Sequence, residues 1–196
     1  LVKMTTGYRG ERAETVVSPM ETPLHGEIYA FLRKILAKPA YAPLARNLNY
    51  VVLRGSSRSC SLILNFFHMD AAVMRKVKLL SELLRKEEPR VVSFETLLDE
   101  TRSEYYLDSR FDRRTLRRHF GPECLDVTVG GLKYFYPPVA FSQVNESMLV
   151  PFVAEIEKLV APTPASTVYD LYCGYGLFGI RMAQAISSAV AARKTF

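Results

Sequence analysis

Apolar residues recur along this chain in two rhythms, one helical and one strand-like. Ile28, Phe31, Leu32, Ile35 and Leu36 fall three and four residues apart, which predicts an amphipathic helix closed by Pro39. Two runs rich in valine, leucine and phenylalanine follow, Tyr50 to Arg54 and Ser61 to Phe67. The small polar residues Gly55 to Ser59 between them predict a hairpin loop. Helical spacing returns at Val73, Val77, Leu80, Leu83 and Leu84 and ends before Pro89. Val91 to Phe94 predicts a further strand, and Leu125 to Val129 with Leu132 to Tyr136 predicts a second hairpin around Gly130-Gly131. Strands and helices mixed without strict alternation indicate an α+β module over residues 1–136.

The pattern changes at Pro137-Pro138. Met148, Leu149, Phe152, Val153, Ile156, Leu159 and Val160 keep helical spacing, with Asn145 placed to cap the helix. Pro151 inside that run predicts a kink or a later start. After a Pro162-Thr163-Pro164 linker, Thr167 to Leu171 predicts a strand, then a glycine loop, then an apolar helix from about Leu177. Strand, glycine turn and helix in that order are the opening of an α/β sheet domain, expected over residues 137–196. The fold class is therefore α/β plus α+β.

Composition narrows the picture only modestly. The chain has 196 residues, 48% of them hydrophobic, enough for one large domain or two smaller ones. Lysine and arginine outnumber aspartate and glutamate by 26 to 20, a mild basic bias that suits a polyanion such as RNA but is shared by many other proteins. The three cysteines, Cys60, Cys124 and Cys173, are too few and too widely spaced for a disulfide framework or a zinc site. An intracellular, reducing compartment and no bound metal are expected. No apolar run approaches the roughly 20 residues that span a bilayer, so no membrane partner is expected. The chain begins at Leu1 and reads as a fragment.

From Arg110 to His119 there are five arginines within nine residues. In a helix, Arg110, Arg113, Arg114, Arg117 and Arg118 would share one face able to lie along phosphates, which makes Arg113, Arg114 and Arg117 candidate nucleic-acid contacts. The alternative is a solvated face paired to Asp108 and Asp112.

The richest stretch is Val168 to Gly179. Gly174, Gly176 and Gly179 have the G-x-G-x-x-G spacing at which a turn lets a ligand approach the backbone and a helix N-terminus. Asp170 bears on which ligand. Its carboxylate would repel a pyrophosphate but attract a cation, by about 1 kcal/mol in water and about 4 kcal/mol at an effective dielectric of 20 for a ~4 Å separation. The sign favours the ammonium and sulfonium of S-adenosylmethionine over a nicotinamide dinucleotide. The other role open to Asp170 is to cap the following turn. Tyr172 is either a ligand contact or an ordinary packed aromatic, and Cys173 is expected to be a small buried residue.

Asp170-Leu171-Tyr172-Cys173-Gly174-Tyr175-Gly176 resembles the D-L-Y-C-G-x-G cofactor loop of the RNA uracil-5-methyltransferases, and Phe141-Ser142-Gln143-Val144-Asn145 is similar to their F-x-Q-x-N segment. Arg54-Gly55-Ser56 and Val91-Val92-Ser93 resemble that family's central α+β domain more loosely. The resemblance implies that residues 137–196 form the first part of a Rossmann-like class I methyltransferase domain using S-adenosylmethionine. It implies an RNA substrate, tRNA or rRNA, methylated at uracil C5. The cofactor contacts it implies are Gln143 and Tyr172, with Asp170, Gly174 and Gly176 in the loop. Ser142 stands where many members have a second phenylalanine, and Leu177 where some have asparagine.

In that family a cysteine thiolate attacks uracil C6 and a glutamate removes the C5 proton. Those residues lie far downstream of the glycine loop, so catalytic residues are expected beyond Phe196. None of the three cysteines matches the nucleophile's position. No aspartate or glutamate occurs from Leu171 to Phe196, so the acidic residue that would hold the cofactor ribose is not in this stretch. An alternative from another class is a non-catalytic RNA-binding fragment of such an enzyme.

Overall fold

In the computed structural model, which describes residues 22–103, 115–143 and 145–193, Thr22 opens the first helix. Its Oγ1 accepts from the His25 N–H at 3.3 Å, and Pro23 takes the first helical position, where a missing N–H costs nothing. This helix, α1 (Pro23–Leu36), buries Leu24, Ile28, Leu32, Ile35 and Leu36. A 3₁₀ turn (Pro39–Tyr41) and a short α2 (Ala42–Asn47) lead into β1 (Leu48–Gly55) and β2 (Cys60–Phe66). Asp70 then caps α3 (Ala71–Glu87), its Oδ1 accepting from the Val73 N–H at 2.8 Å.

β3 (Val91–Leu98) returns parallel to β2, so β2, α3 and β3 form one βαβ crossover. β4 (Leu116–Phe120) adds antiparallel to β3, and the sheet order is β1-β2-β3-β4. Leu62, Leu64 and Phe66 share one face of β2 and join α1, α2 and α3 in a single core, with Phe94 opposite Leu62. β2 is buried at every position, as a central strand flanked by two neighbours should be.

The strand β4 corrects the helical reading of the arginine run. Arg113 and Arg114 lie outside the described residues, but from Leu116 onward the backbone pairs with β3, placing Arg118 opposite Glu95 and Arg117 opposite Thr96. Non-local pairing outweighs the helical spacing of the charges: Phe120 is buried beside Phe94, and the His119 ring nitrogen Nε2 lies 2.9 Å from the Thr96 hydroxyl. Arg118 donates through Nε to Glu95 Oε1 at 3.1 Å, whereas Arg117 is exposed.

The chain divides into two compact units, Leu1–Leu125 and Asp126–Phe196. The sequence pattern places its division at residue 137 instead. In the structure the hairpin β5 (Leu125–Val129) and β6 (Leu132–Tyr136) supplies Val129 and Tyr134 to the core that also holds Leu149, Val153 and Leu177. Two helices complete that unit, α4 (Glu146–Val160) and α5 (Leu177–Arg193). α4 starts at Glu146 with Pro151 inside it, so no later start occurs. Asn145 stands at the cap position, but its Oδ1 accepts from the Ser147 hydroxyl at 2.7 Å instead of a backbone N–H. Ala161 ends the helix in the left-handed conformation, just before Pro162.

The strand expected over Thr167 to Leu171 is not formed, because a parallel strand exists only by pairing and this segment has no ladder partner among the described residues. Tyr169 and Leu171 are 82% and 80% exposed. The described residues thus form a mixed α/β structure of five α-helices, a four-stranded sheet and a two-stranded sheet.

Two measurements check this packing. Leu80 is fully buried while its neighbour Leu79 is 46% exposed. Leu80→Ala should lower unfolding stability by about 2–5 kcal/mol and Leu79→Ala by less than about 0.5 kcal/mol, read from denaturant midpoints. Glu95 is buried, its Oε2 has no hydrogen-bond partner, and burial raises its pKa above the ordinary 4.5 despite the opposing pull of Arg118. A carboxyl raised by folding favours the folded state while protonated, fully so below about 4.5, and loses that contribution as pH rises through the raised value. Glu95→Gln should therefore gain stability relative to wild type as pH climbs from about 4 to about 8, and a constant difference would contradict the assignment.

Candidate cofactor-binding site

The glycine loop is built on a turn that ordinary side chains resist. Tyr172, Gly174 and Gly176 have φ of +59°, +58° and +79°, in the left-handed region that glycine enters freely and tyrosine does at a cost. The Gly176 N–H donates to the Cys173 carbonyl at 2.8 Å, and the Gly176 carbonyl accepts from the Ile180 N–H at 3.0 Å, so Gly176 is the N-cap residue of α5. A glycine cap has no side chain to satisfy the helix's first N–H groups. Asp170 supplies the acceptor instead, its Oδ2 taking the Gly179 N–H at 2.8 Å. A carboxylate there also complements the positive end of the helix. The capping role is thus realised by one oxygen, while Oδ1 has no partner among the described residues.

Gly179 is required for that contact. A Cβ on it would stand 2.9 Å from Asp170 Oδ2 and 3.2 Å from Asp170 Cβ. At Gly174 a Cβ would meet nothing within 4 Å, so there the constraint is conformation alone.

Gln143 reaches the same loop from the segment before α4. Its Oε1 accepts from the Tyr175 hydroxyl at 3.3 Å. Tyr175 in turn packs edge-on against Tyr134, with ring centroids 6.1 Å apart, and against Tyr136 at 5.5 Å. A second bridge joins the first turns of the helices, where Phe152 meets Phe178 edge-to-face at 5.1 Å, and an Arg181–Glu157 ion pair of 2.7 Å follows one turn further on. Beside Gln143 lies a cleft of about 270 Å³ lined by Phe141, Ser142, Gln143, Met148, Leu149 and Phe152. Its walls are almost wholly apolar, with the Gln143 amide as a polar group in them, the usual make-up of a small-molecule site.

The structure therefore brings Gln143, Asp170, Gly174 and Gly176 into one loop-and-cleft assembly. Tyr172 stands apart: its ring is fully exposed and touches none of them. Cys173 is exposed, contrary to the expectation of a small buried residue, because the turn projects it outward beside two positive-φ positions. Cys60 is the buried cysteine, and burial pushes its thiol up to about 12, which leaves it neutral and unreactive at ordinary pH. Arg117 belongs to the first unit and is not among these groups. Sequence reasoning passed over Tyr175, which occupies a variable position of the motif. The signal was available in Tyr134 and Tyr136, which alternate along β6 and share one face.

Among the described residues no cluster of three histidine, cysteine, aspartate or glutamate side chains could hold a metal ion, and no helix is long and apolar enough to cross a membrane.

Asp170→Ala should cost about 0.5–2 kcal/mol by leaving the α5 cap open. Gly179→Ala, which in an ordinary helix gains about 1 kcal/mol, should instead lower the melting temperature here. In the Asp170→Ala background the same substitution should become neutral or stabilising, since the clash is gone. A higher Tm for Gly179→Ala alone would contradict this geometry.

No family model matches the chain. It is 39% identical over 62 residues to a 23S rRNA (uracil(1939)-C(5))-methyltransferase of Marinomonas posidonica, a stretch covering 32% of this chain and 14% of that protein. Over 75 residues it is 27% identical to an uncharacterized RNA methyltransferase of Nanoarchaeum equitans, covering 38% and 17% of the two chains. A third RNA methyltransferase, from Halalkalibacterium halodurans, is 33% identical over 64 residues, or 33% and 14%. The chain thus spans about one seventh of the length of the curated relatives it matches. With the two motifs gathered around one cleft, these similarities make the chain a relative of the RNA methyltransferases, a uracil-C5 enzyme among them.

Proposed function

We propose that this chain contributes the S-adenosylmethionine-binding part of an RNA methyltransferase acting on uracil C5 of tRNA or rRNA. In this reading residues 137–196 are the opening of a Rossmann-like class I methyltransferase domain, with Thr167 to Leu171 as its first strand. The observation that carries the reading is the Tyr175–Gln143 hydrogen bond, which joins the F-x-Q-x-N segment to the glycine loop.

The groups present suit that cofactor. Asp170 Oδ1 offers an acceptor for an ammonium, and the Gln143 amide offers a donor from the cleft wall. The exposed ring of Tyr172 is open to stacking with the adenine or ribose. The positive-φ turn at Gly174 and Gly176 leaves the backbone bare for close approach. Bound there, the cofactor supplies an electrophilic methyl group, and the chain's own residues bind and orient it. No residue of this chain is assigned as nucleophile or proton acceptor. A dinucleotide is disfavoured by the Asp170 carboxylate, which would face a pyrophosphate as a like charge.

The RNA partner is assigned to Arg113, Arg114 and Arg117. The exposed Arg117 on the edge strand β4 supports a phosphate contact, whereas Arg118 is already paired to Glu95.

Calorimetry on the chain should give measurable affinity for S-adenosylhomocysteine and weaker or no affinity for NAD, and the reverse order would sink the cofactor assignment. Reversing Arg113, Arg114 and Arg117 to glutamate should weaken RNA binding and reduce the slope of log K against log salt by about 0.9 for each phosphate no longer neutralised. Unchanged binding at low salt would reject the phosphate role.

A further inference from the structure

Gln143 has one partner among the described residues, the Tyr175 hydroxyl, and that partner engages its oxygen. A carboxamide is a rigid plane with an acceptor at one corner and a two-proton donor at the other. With Oε1 held by Tyr175, the Nε2 group is turned away from it and has no acceptor among the described residues. Rotating the amide by half a turn would leave two donors facing one another unless the phenol also rotated its proton. The Tyr175 hydroxyl thus selects one of the two amide orientations.

Tyr175 is itself held. Its ring meets Tyr134 at an interplanar angle of 84° and Tyr136 at 42°, and Tyr134 is 1% exposed in the core with Val129, Leu149, Val153 and Leu177. Orientation therefore passes from the hairpin core through Tyr134 and Tyr136 to Tyr175, and from Tyr175 to Gln143. Gln143 also lines the apolar cleft, where a polar group that already points correctly loses nothing to reorganisation when a ligand enters.

We infer that Tyr175 is a positioning residue that sets the Gln143 amide with its N–H₂ edge toward the ligand, so that Gln143 reads a hydrogen-bond acceptor on the cofactor. This deepens the cofactor reading above and rests on it. The acceptors available are the amino-acid carboxylate and the oxygens and ring nitrogens of the nucleoside. The ammonium and the sulfonium are excluded as partners of Nε2, since neither accepts a hydrogen bond.

The test is calorimetric titration of S-adenosylhomocysteine into the intact 196-residue chain and its variants, with a melting temperature for each. Tyr175→Phe keeps the ring contacts and removes only the hydroxyl. It should weaken binding by about 3- to 10-fold with an unchanged Tm, as loss of one neutral hydrogen bond does. Gln143→Ala should weaken binding at least as much, and the double variant should bind like Gln143→Ala alone, because Tyr175 acts only through Gln143. Gln143→Glu, isosteric but without the N–H₂ donor, should not restore affinity.

Repeating the titrations with 5′-methylthioadenosine, which lacks the amino-acid group, locates the acceptor. A Tyr175→Phe penalty that disappears identifies the carboxylate, and one that persists identifies the nucleoside. Wild-type affinity in Tyr175→Phe beside a loss in Gln143→Ala would overturn this inference alone, as would additive losses in the double variant. No binding of S-adenosylhomocysteine by the wild-type chain would overturn the cofactor reading and this inference with it.

Discussion

The Asp170–Gly179 hydrogen bond is the constraint from which the rest of the candidate site follows. A glycine N-cap permits the positive-φ turn but leaves the start of α5 without a side-chain acceptor, and Asp170 closes that gap from nine residues away. Once α5 begins at Leu177, Phe178 lies against Phe152 and Arg181 reaches Glu157, which fixes α4 beside it. The segment before α4 then delivers Gln143 to Tyr175. Binding groups drawn from residues 143 to 179 thus share one frame whose keystone is a single carboxylate oxygen.

That arrangement divides labour within Asp170. An electrostatic argument from sequence treats its full charge as available to a ligand, whereas in the folded chain one oxygen already serves the helix N-terminus. The remaining oxygen faces a ligand with part of its negative charge offset by the helix dipole. Cation recognition at this loop is therefore weaker than an isolated carboxylate implies. More of the selectivity rests on shape, on the apolar cleft and on the oriented amide of Gln143.

Most of the local structure was legible in the sequence. The helical spacing of Ile28 to Leu36 and of Val73 to Leu84 marks α1 and α3, and the apolar runs around Gly55 to Ser59 mark β1 and β2, because each depends on periodic burial within one segment. α2 was missed, being only six residues long with a proline at its start. The failures that matter involve distant partners. Leu116 to Phe120 has helical charge spacing yet forms a strand, because β3 offers it a ladder and Phe94 a packing surface. Thr167 to Leu171 has strand composition yet forms none, because no neighbouring strand meets it among the described residues. At the site, Gln143 and the glycines were legible as motif positions, while Tyr175 was not: its value comes from tyrosines some forty residues earlier, and no local pattern carries that information.

The central claim is that the loop after Asp170 and the segment around Gln143 bind one ligand together. The most direct measurement is an amide chemical-shift titration of the isotopically labelled chain with S-adenosylhomocysteine. Perturbations should be confined to two clusters, residues 141–145 including the Gln143 side-chain N–H₂, and residues 170–179, both saturating with the same dissociation constant. Shifts in only one cluster, or two clusters titrating with different constants, would contradict it.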